Sequence, residues 1–173
     1  MNGPASVDRA LEGCVAIVTG ASRGIGRGCA VGPGARGATV YCTARGTSDA
    51  VPPEDGTIEA VAAEVNSVGG RGIAVACDHR DDEAVEALFE RVAKEAGRLD
   101  VLVNNAFIIP NELTSGKKFW EVPLSNGDDM VEVGTRSAYA ASRLAASMMI
   151  GEGSGLSVNV SACGGAEYAW DVA

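Results

Sequence analysis

A glycine-rich turn between an apolar strand and a helix start constrains the fold of this chain more than any other segment. Residues 14–18 are apolar throughout, as expected of a strand that is covered on both faces. Gly20 would permit a sharp turn, Gly24 would let backbone N–H groups approach an anion, and Gly26 would allow close packing of helix on strand. The pattern therefore predicts a pyrophosphate site at the positive end of a helix dipole.

Short apolar runs alternate with helical patterns along the rest of the chain, which is typical of βαβ units and a parallel sheet. We expect further strands at 38–43, 72–77, 99–103 and 156–160, and helices at 57–68, 82–96 and 128–150. The apolar face of the second of these helices is made by Val85, Leu88, Phe89 and Val92. The prediction is an α/β fold, a Rossmann-type doubly wound parallel sheet of about five strands, in one domain over residues 1–173.

Two segments interrupt this pattern. Residues 46–56 are predicted to form an inserted loop before the second helix. Val31-Gly32-Pro33-Gly34 falls inside the helix that follows the glycine turn. A proline in a helix interior costs about 3 kcal/mol because one hydrogen bond is lost and the ring clashes with the preceding turn. We therefore expect this helix to end near Ala30 rather than to continue with a kink.

Composition excludes some classes of partner. Lys and Arg total 14 against 23 Asp and Glu, which gives a net charge of −9 and disfavours nucleic acid and anionic membranes. Five scattered cysteines without a C-x-x-C pair predict free thiols, no zinc site and no other metal site. The N-terminus lacks a signal pattern, and no apolar stretch is long enough to cross a bilayer. We expect an intracellular, cytoplasmic protein.

Several motifs together resemble the short-chain dehydrogenase/reductase family. Besides the glycine turn, Leu99 to Ala106 is similar to that family's fourth-strand motif, and Cys77-Asp78 to its adenine-contacting position. The segment 119–134 is similar to one branch of the family, in which Gly134 replaces the usual Asn. The resemblance implies an oxidoreductase that transfers hydride between NAD(P)(H) and a carbonyl or alcohol substrate. Since the family domain usually runs to about 250 residues, this chain resembles its N-terminal part.

The resemblance also implies which residues bind the cofactor. Ser22, Arg23 and Ile25 would line the pyrophosphate and ribose, Asp78 would accept a hydrogen bond from the adenine amino group, and Asn105 and Ala106 would face the nicotinamide-side ribose. The complete predicted set is Gly20, Ser22, Arg23, Gly24, Ile25, Gly26, Arg45, Asp78, Asn105 and Ala106.

The end of the second strand favours NADP(H) over NAD(H). An NAD site usually has an acidic residue there for the ribose hydroxyls, whereas this chain has Thr43-Ala44-Arg45. Arg45 and Arg23 could clamp a 2′-phosphate with charge-assisted hydrogen bonds. The alternative is that both arginines are solvated surface charges.

The family's catalytic groups are not found in this chain, so no catalytic residue is predicted. Ala162 occupies the usual serine position, and Ser161 would point away from the substrate unless the strand end bends. No Lys follows Lys118: Tyr139 is followed four residues later by Arg143 and precedes the fifth strand, and Tyr168 is followed four residues later by Val172. We interpret Tyr139 as a helix-packing residue and His79 as a surface loop residue.

Three functional hypotheses remain open. The chain is part of a short-chain oxidoreductase, a dinucleotide-binding module without activity, or an unrelated Rossmann-type binder such as a methyltransferase. The Asn104-Asn105-Ala106 motif and the arginine pair argue against the third. The fifth strand is predicted to be an open edge, which favours association into a homo-oligomer.

Overall fold

Five parallel strands form the centre of the molecule. The computed structural model describes residues 9–45, 56–110, 112 and 115–162. The strands are β1 (Val15–Thr19), β2 (Thr39–Ala44), β3 (Arg71–Ala76), β4 (Val101–Asn104) and β5 (Leu156–Asn159). They lie in the order β3-β2-β1-β4-β5, and each neighbouring pair is parallel. This confirms the predicted Rossmann-type sheet, with strand boundaries shifted by one or two residues.

Helices connect the strands and cover both faces of the sheet. They are α1 (Gly24–Gly34), α2 (Ile58–Ser67), α3 (Asp82–Ala96), α4 (Leu124–Met130) and α5 (Ser137–Glu152). A 3₁₀ turn, Phe119–Glu121, precedes α4, and a π-helical segment, Val131–Arg136, joins α4 to α5. The helix predicted at 128–150 therefore spans 124–152 and contains a widened stretch around Gly134, a feature that apolar spacing alone does not reveal.

The alternation of side chains along the strands produces one core on each face of the sheet. On one face, Ile17, Tyr41 and Leu102 pack with α3 and α5. On the other, Val18 and Val40 pack with α1 and α2. The four residues predicted to form the apolar face of α3 are all buried. Central strands with two covered faces explain why β1 and β2 are apolar at nearly every position.

The prediction that α1 ends near Ala30 is wrong, because the helix continues through Pro33 to Gly34. Pro33 lies in the last turn, so only one helical hydrogen bond is lost there. The carbonyl of Pro33 accepts from the N–H groups of Arg36 (3.0 Å) and Ala38 (3.2 Å). Gly34 packs so closely on α2 that an added Cβ would lie 2.7 Å from Val65 Cγ1. Tertiary packing and carbonyl pairing therefore extend the helix beyond its sequence signal.

The edge strand β5 is much more exposed than the central strand β1. Every residue of β5 is exposed, including Leu156 (56%) and Val158 (37%), whereas β1 is buried throughout. The edge predicted to be open is thus exposed in the structure. Most of the predicted 46–56 loop lies outside the described residues, which resume at Gly56. Among the helices of the described residues, none is long and apolar enough to span a membrane.

Two glycines in α1 provide a test of this packing. We predict that Gly34→Ala lowers the free energy of unfolding by about 1–2 kcal/mol, because its Cβ would overlap Val65. Gly28→Ala is the matched control in the same helix: its Cβ would meet no described atom within 4 Å, so we expect up to about 1 kcal/mol of stabilisation. Urea unfolding followed by circular dichroism measures both, and equal effects of the two substitutions would contradict the packing assignment.

Candidate functional site

The glycine turn lies at the carboxyl end of β1 and has the backbone conformations that glycine allows. Gly20 and Gly24 have φ angles of +64° and +56°. A Cβ at Gly26 would lie 2.2 Å from the carbonyl oxygen of Gly20, so only glycine lets α1 begin this close to the strand. A Cβ at Gly24, in contrast, would meet no described atom within 4 Å. The described atoms therefore leave space beside the backbone of Gly24, whereas the lack of a side chain at Gly26 lets α1 pack closely on the turn.

Hydrogen bonds of Asn105 and Thr19 hold this turn in place. Asn105 Nδ2 donates to the carbonyl oxygens of Thr19 and Gly20, both at 2.9 Å. Thr19 Oγ1 accepts from the backbone N–H groups of Asn105 (2.9 Å) and Ala106 (2.8 Å). These bonds, which we call the Thr19–Asn105 contact, join the ends of β1 and β4. The sequence motif placed Asn105 at this edge but did not reveal that its amide supports the turn.

The first turn of α1 is open to an anion. Arg23 at the N-cap makes no side-chain capping bond, and the first helical turn carries no acidic residue. The first backbone N–H groups of a helix have no partner within the helix, so they are available to an external acceptor. Ile25 in this turn is 64% exposed. The backbone, the free helix end and the space beside Gly24 fit a pyrophosphate group.

Two arginines border the same edge, at the ends of β1 and β2. Arg23 and Arg45 are both exposed. The chain resumes beside them at Gly56, where an added Cβ would lie 2.4 Å from the Ser22 carbonyl oxygen. Arg27, one turn further along α1, points elsewhere because its guanidinium is paired with Glu64 of α2 at 2.6 and 2.7 Å. The two predicted arginines are thus placed on one edge of the sheet.

Asp78 follows the end of β3, half-buried beside the same edge. Its Oδ1 accepts a hydrogen bond from the backbone N–H of Arg80 at 3.0 Å, which fixes the direction of the carboxylate. The Arg80 side chain in turn pairs with Asp129 of α4. The segment after β3 is therefore tied to the helical layer, and the carboxylate predicted to contact adenine is pre-oriented.

The interpretation of His79 as a surface residue is wrong, because its side chain is only 5% exposed. His79 Nε2 lies 2.8 Å from Thr43 Oγ1 of β2, and Nδ1 lies 4.0 Å from Cys77 Sγ. Burial lowers the pKa of His79 to about 4, so the ring is neutral at physiological pH. Burial also raises the pKa of Cys77 to about 11, which keeps this thiol protonated and unreactive.

The residues considered for catalysis do not assemble into an acid–base site within the described part of the chain. Ser161 and Ala162 follow β5 and are exposed. The interpretation of Tyr139 as a packing residue is wrong: it is 73% exposed. The buried face of α5 is formed by Ser137, Ala141, Ala145 and Met149, and Tyr139 is not among them. Tyr168 lies outside the described residues.

Asn104 is a further polar residue at this edge that sequence reasoning did not assign. Its side chain is buried at the end of β4, and Nδ2 lies 2.9 Å from both Ser142 Oγ of α5 and Asn159 Oδ1 of β5. These bonds fasten the exposed fifth strand and the long helix to the centre of the sheet. Only its place in the Asn104-Asn105-Ala106 motif could have drawn attention to it.

Comparisons with known proteins agree with this architecture. The family model described as "short chain dehydrogenase" matches residues 14–172. The mouse protein "Dehydrogenase/reductase SDR family member 1" is 45% identical over 165 residues, which cover 94% of this chain and 50% of that protein. The chain therefore spans about half the length of this curated relative.

Solved structures with different cofactors share the fold. A metagenomic short-chain oxidoreductase in complex with NADP is 34% identical, with a TM-score of 0.80 over 94% of this chain and 68% of that one. A 7α-hydroxysteroid dehydrogenase complexed with NADH and 7-oxo glycochenodeoxycholic acid is 26% identical, with a TM-score of 0.78 over 98% and 61%.

Burial of the single histidine makes stability depend on pH. The pKa of His79 is about 4 in the folded chain and about 6.5 when exposed, so the unfolded chain binds more protons between these values. We predict that lowering the pH from 7.5 to 4 reduces the free energy of unfolding by about 3 kcal/mol through this residue. Urea unfolding across this range measures the slope.

The matched control is His79→Gln, which removes the titrating ring but keeps an N–H donor. This variant should lose the part of the slope that belongs to the pH 4–6.5 window. An identical pH dependence in wild type and His79→Gln would contradict the assigned burial of a neutral ring.

Proposed function

This chain belongs to the short-chain dehydrogenase family, and on that premise we propose that it forms the dinucleotide-binding part of an NADP(H)-dependent oxidoreductase. The complete reaction would transfer hydride between NADP(H) and a carbonyl or alcohol substrate. The residues proposed for cofactor binding are those predicted from the sequence, which lie along the carboxyl edge of β1, β2, β3 and β4. Their binding roles are part of this proposal.

One observation supports the proposal: Asn105 donates hydrogen bonds to two carbonyl groups at the glycine turn, and the N-terminus of α1 beside it has no side-chain cap. A pyrophosphate bound there would receive backbone N–H bonds and the positive end of the α1 dipole. Gly24 leaves room for the phosphates among the described residues, since a side chain at that position would meet no described atom within 4 Å.

The preference for NADP(H) rests on charge at the adenosine end of the site. Arg23 and Arg45 are exposed at neighbouring strand ends, and the residues 43–45 contain no carboxylate. A 2′-phosphate would gain charge-assisted bonds from the guanidiniums, whereas a 2′-hydroxyl would not. The family alone does not decide the matter, because one solved relative contains NADP and another contains NADH.

The chemistry of the complete reaction needs a proton donor as well as the cofactor. When bound, NADPH supplies the hydride, and the resulting alkoxide must receive a proton within hydrogen-bond reach. In this chain Ala162 stands at the expected serine position, and no Tyr-x-x-x-Lys sequence occurs in its 173 residues. We therefore assign binding and orientation of the dinucleotide to these residues, and proton transfer to none of them.

A binding module without activity is the second candidate, and the same observation favours it. A chain with an intact glycine turn but no acid–base group would bind the dinucleotide without reducing a substrate. The two candidates differ in turnover and not in cofactor affinity.

We predict that the wild-type chain binds NADPH more tightly than NADH in isothermal titration calorimetry. Arg45→Ala should weaken NADPH binding by about tenfold or more, because a charge-assisted bond is lost, and should leave NADH binding nearly unchanged. Arg91→Ala is the matched control, since Arg91 is an exposed arginine on α3 that pairs with Glu95.

Different results would contradict the cofactor preference and the binding site. Equal dissociation constants for NADPH and NADH would contradict the preference for NADP(H). Absence of binding to either dinucleotide, in a chain that unfolds cooperatively, would contradict the proposed binding site itself.

Turnover gives the second prediction. With generic aldehyde or ketone substrates, we expect this chain to oxidise NADPH no faster than the background, because the described residues position no proton donor and the sequence has no Tyr-x-x-x-Lys. Absorbance at the reduced-nicotinamide band measures the rate, with a complete short-chain dehydrogenase as positive control. Turnover comparable with that control would show that the catalytic groups have been misassigned.

A further inference from the structure

Buried hydrogen bonds of Thr43 connect the three strand ends that border the adenosine side of the proposed site. Thr43 of β2 is completely buried, and its Oγ1 lies 3.3 Å from the carbonyl oxygen of Val18 in β1 and 2.8 Å from His79 Nε2. The backbone carbonyl of Thr43 accepts from the N–H of Ala21 in the glycine turn at 2.9 Å. Thr43 is therefore in contact with β1, with the glycine turn and with the segment after β3.

The chemistry of the groups gives this connection one direction. The Val18 carbonyl can only accept, so the Thr43 hydroxyl donates its proton there. The hydroxyl oxygen must then accept from His79, which makes Nε2 the protonated ring nitrogen. Nδ1 is left as an acceptor facing the Cys77 thiol. A leucine or valine at position 79 would leave the Thr43 oxygen without this donor.

Thr43 and His79 each lie close in sequence to a residue to which the proposed function assigns a role in cofactor recognition. Arg45 lies two residues after Thr43, and Asp78 lies immediately before His79. A second bond, from the N–H of Cys77 to the carbonyl of Ala44 at 3.1 Å, joins the same two segments. The spacing between Arg45 and Asp78 therefore depends on contacts in which Thr43 and His79 supply the side-chain part.

We propose that His79 is a positioning residue for cofactor discrimination: through Thr43 it sets the distance between the segment with Arg45 and the segment with Asp78. This inference rests on the proposed function and identifies the residue that keeps the 2′-phosphate and adenine subsites in register. His79 itself, buried below the surface, does not contact the dinucleotide. Its removal loosens the segment after β3 against the end of β2, although the backbone bond from Cys77 to Ala44 remains, so the bond to a 2′-phosphate weakens more than the bonds shared by both cofactors.

The experiment compares the ratio of dissociation constants for NAD⁺ and NADP⁺ among variants of the full chain. We expect His79→Leu and Thr43→Val each to lower this ratio by about tenfold, and the double variant to lower it no further, because both remove the same bond. His79→Gln, which keeps a donor, should retain most of the wild-type ratio. Tyr41→Phe is the matched control, since it removes a hydrogen bond of the same strand to Glu95 (3.1 Å) away from this edge.

A purely structural role predicts a different result. If His79 only stabilises the fold, both dissociation constants rise together and their ratio stays within about twofold of wild type, which would overturn the inference. Additive effects of His79→Leu and Thr43→Val on the ratio would also overturn it. Failure of the wild-type chain to bind either cofactor contradicts the proposed function instead, and equal wild-type affinities contradict the NADP preference together with this inference.

Discussion

The contact between Thr19 and Asn105 is the interaction on which the proposed site depends. Asn105 donates to two carbonyls of the turn, and Thr19 Oγ1 receives two backbone N–H groups from β4. Gly26 packs against the Gly20 carbonyl and the Asn105 amide, so the starting point of α1 is determined by a residue about eighty positions away in sequence. A buried carbonyl left without its donor costs about 1–3 kcal/mol, which penalises any displacement of the turn away from Asn105. The proposed anion site therefore depends on two strand ends, not on the glycine sequence alone.

The strands and most helices could be predicted from the sequence because their signals are local. A strand with two covered faces must be apolar at successive positions, as in β1, and a helix with one covered face must repeat its apolar residues, as in α3. The extent of α1 could not be predicted in this way. Its last residues are helical because Pro33 and Gly34 meet partners from other elements, and these contacts outweigh a local penalty. The π-helical segment also lies within an apolar pattern that looks the same for an ordinary helix.

The candidate site was predictable in its positions and less so in its interactions. Motifs placed Gly20, Asp78 and Asn105 at one edge, since the carboxyl ends of parallel strands meet there. They did not reveal what each side chain bonds to. His79 follows a polar aspartate and looks like a loop residue, yet its partner Thr43 lies 36 positions earlier in the chain. Tyr139 sits among small apolar residues and looks like a packing residue, yet its side chain is largely exposed.

Buried contacts are concentrated at the β1–β3 side of the carboxyl edge, where the dinucleotide is proposed to bind, and are sparse at the β5 side. At the β1–β3 side, Thr43 is fully buried, His79 nearly so, and each of the segments around them is bonded to another strand end. At the β5 side, the strand is exposed along its whole length and Asn104 provides its side-chain link to β4. These contacts support the proposal that the β1–β3 side binds the dinucleotide, while the described residues position no group for the hydride and proton transfer that the complete reaction requires.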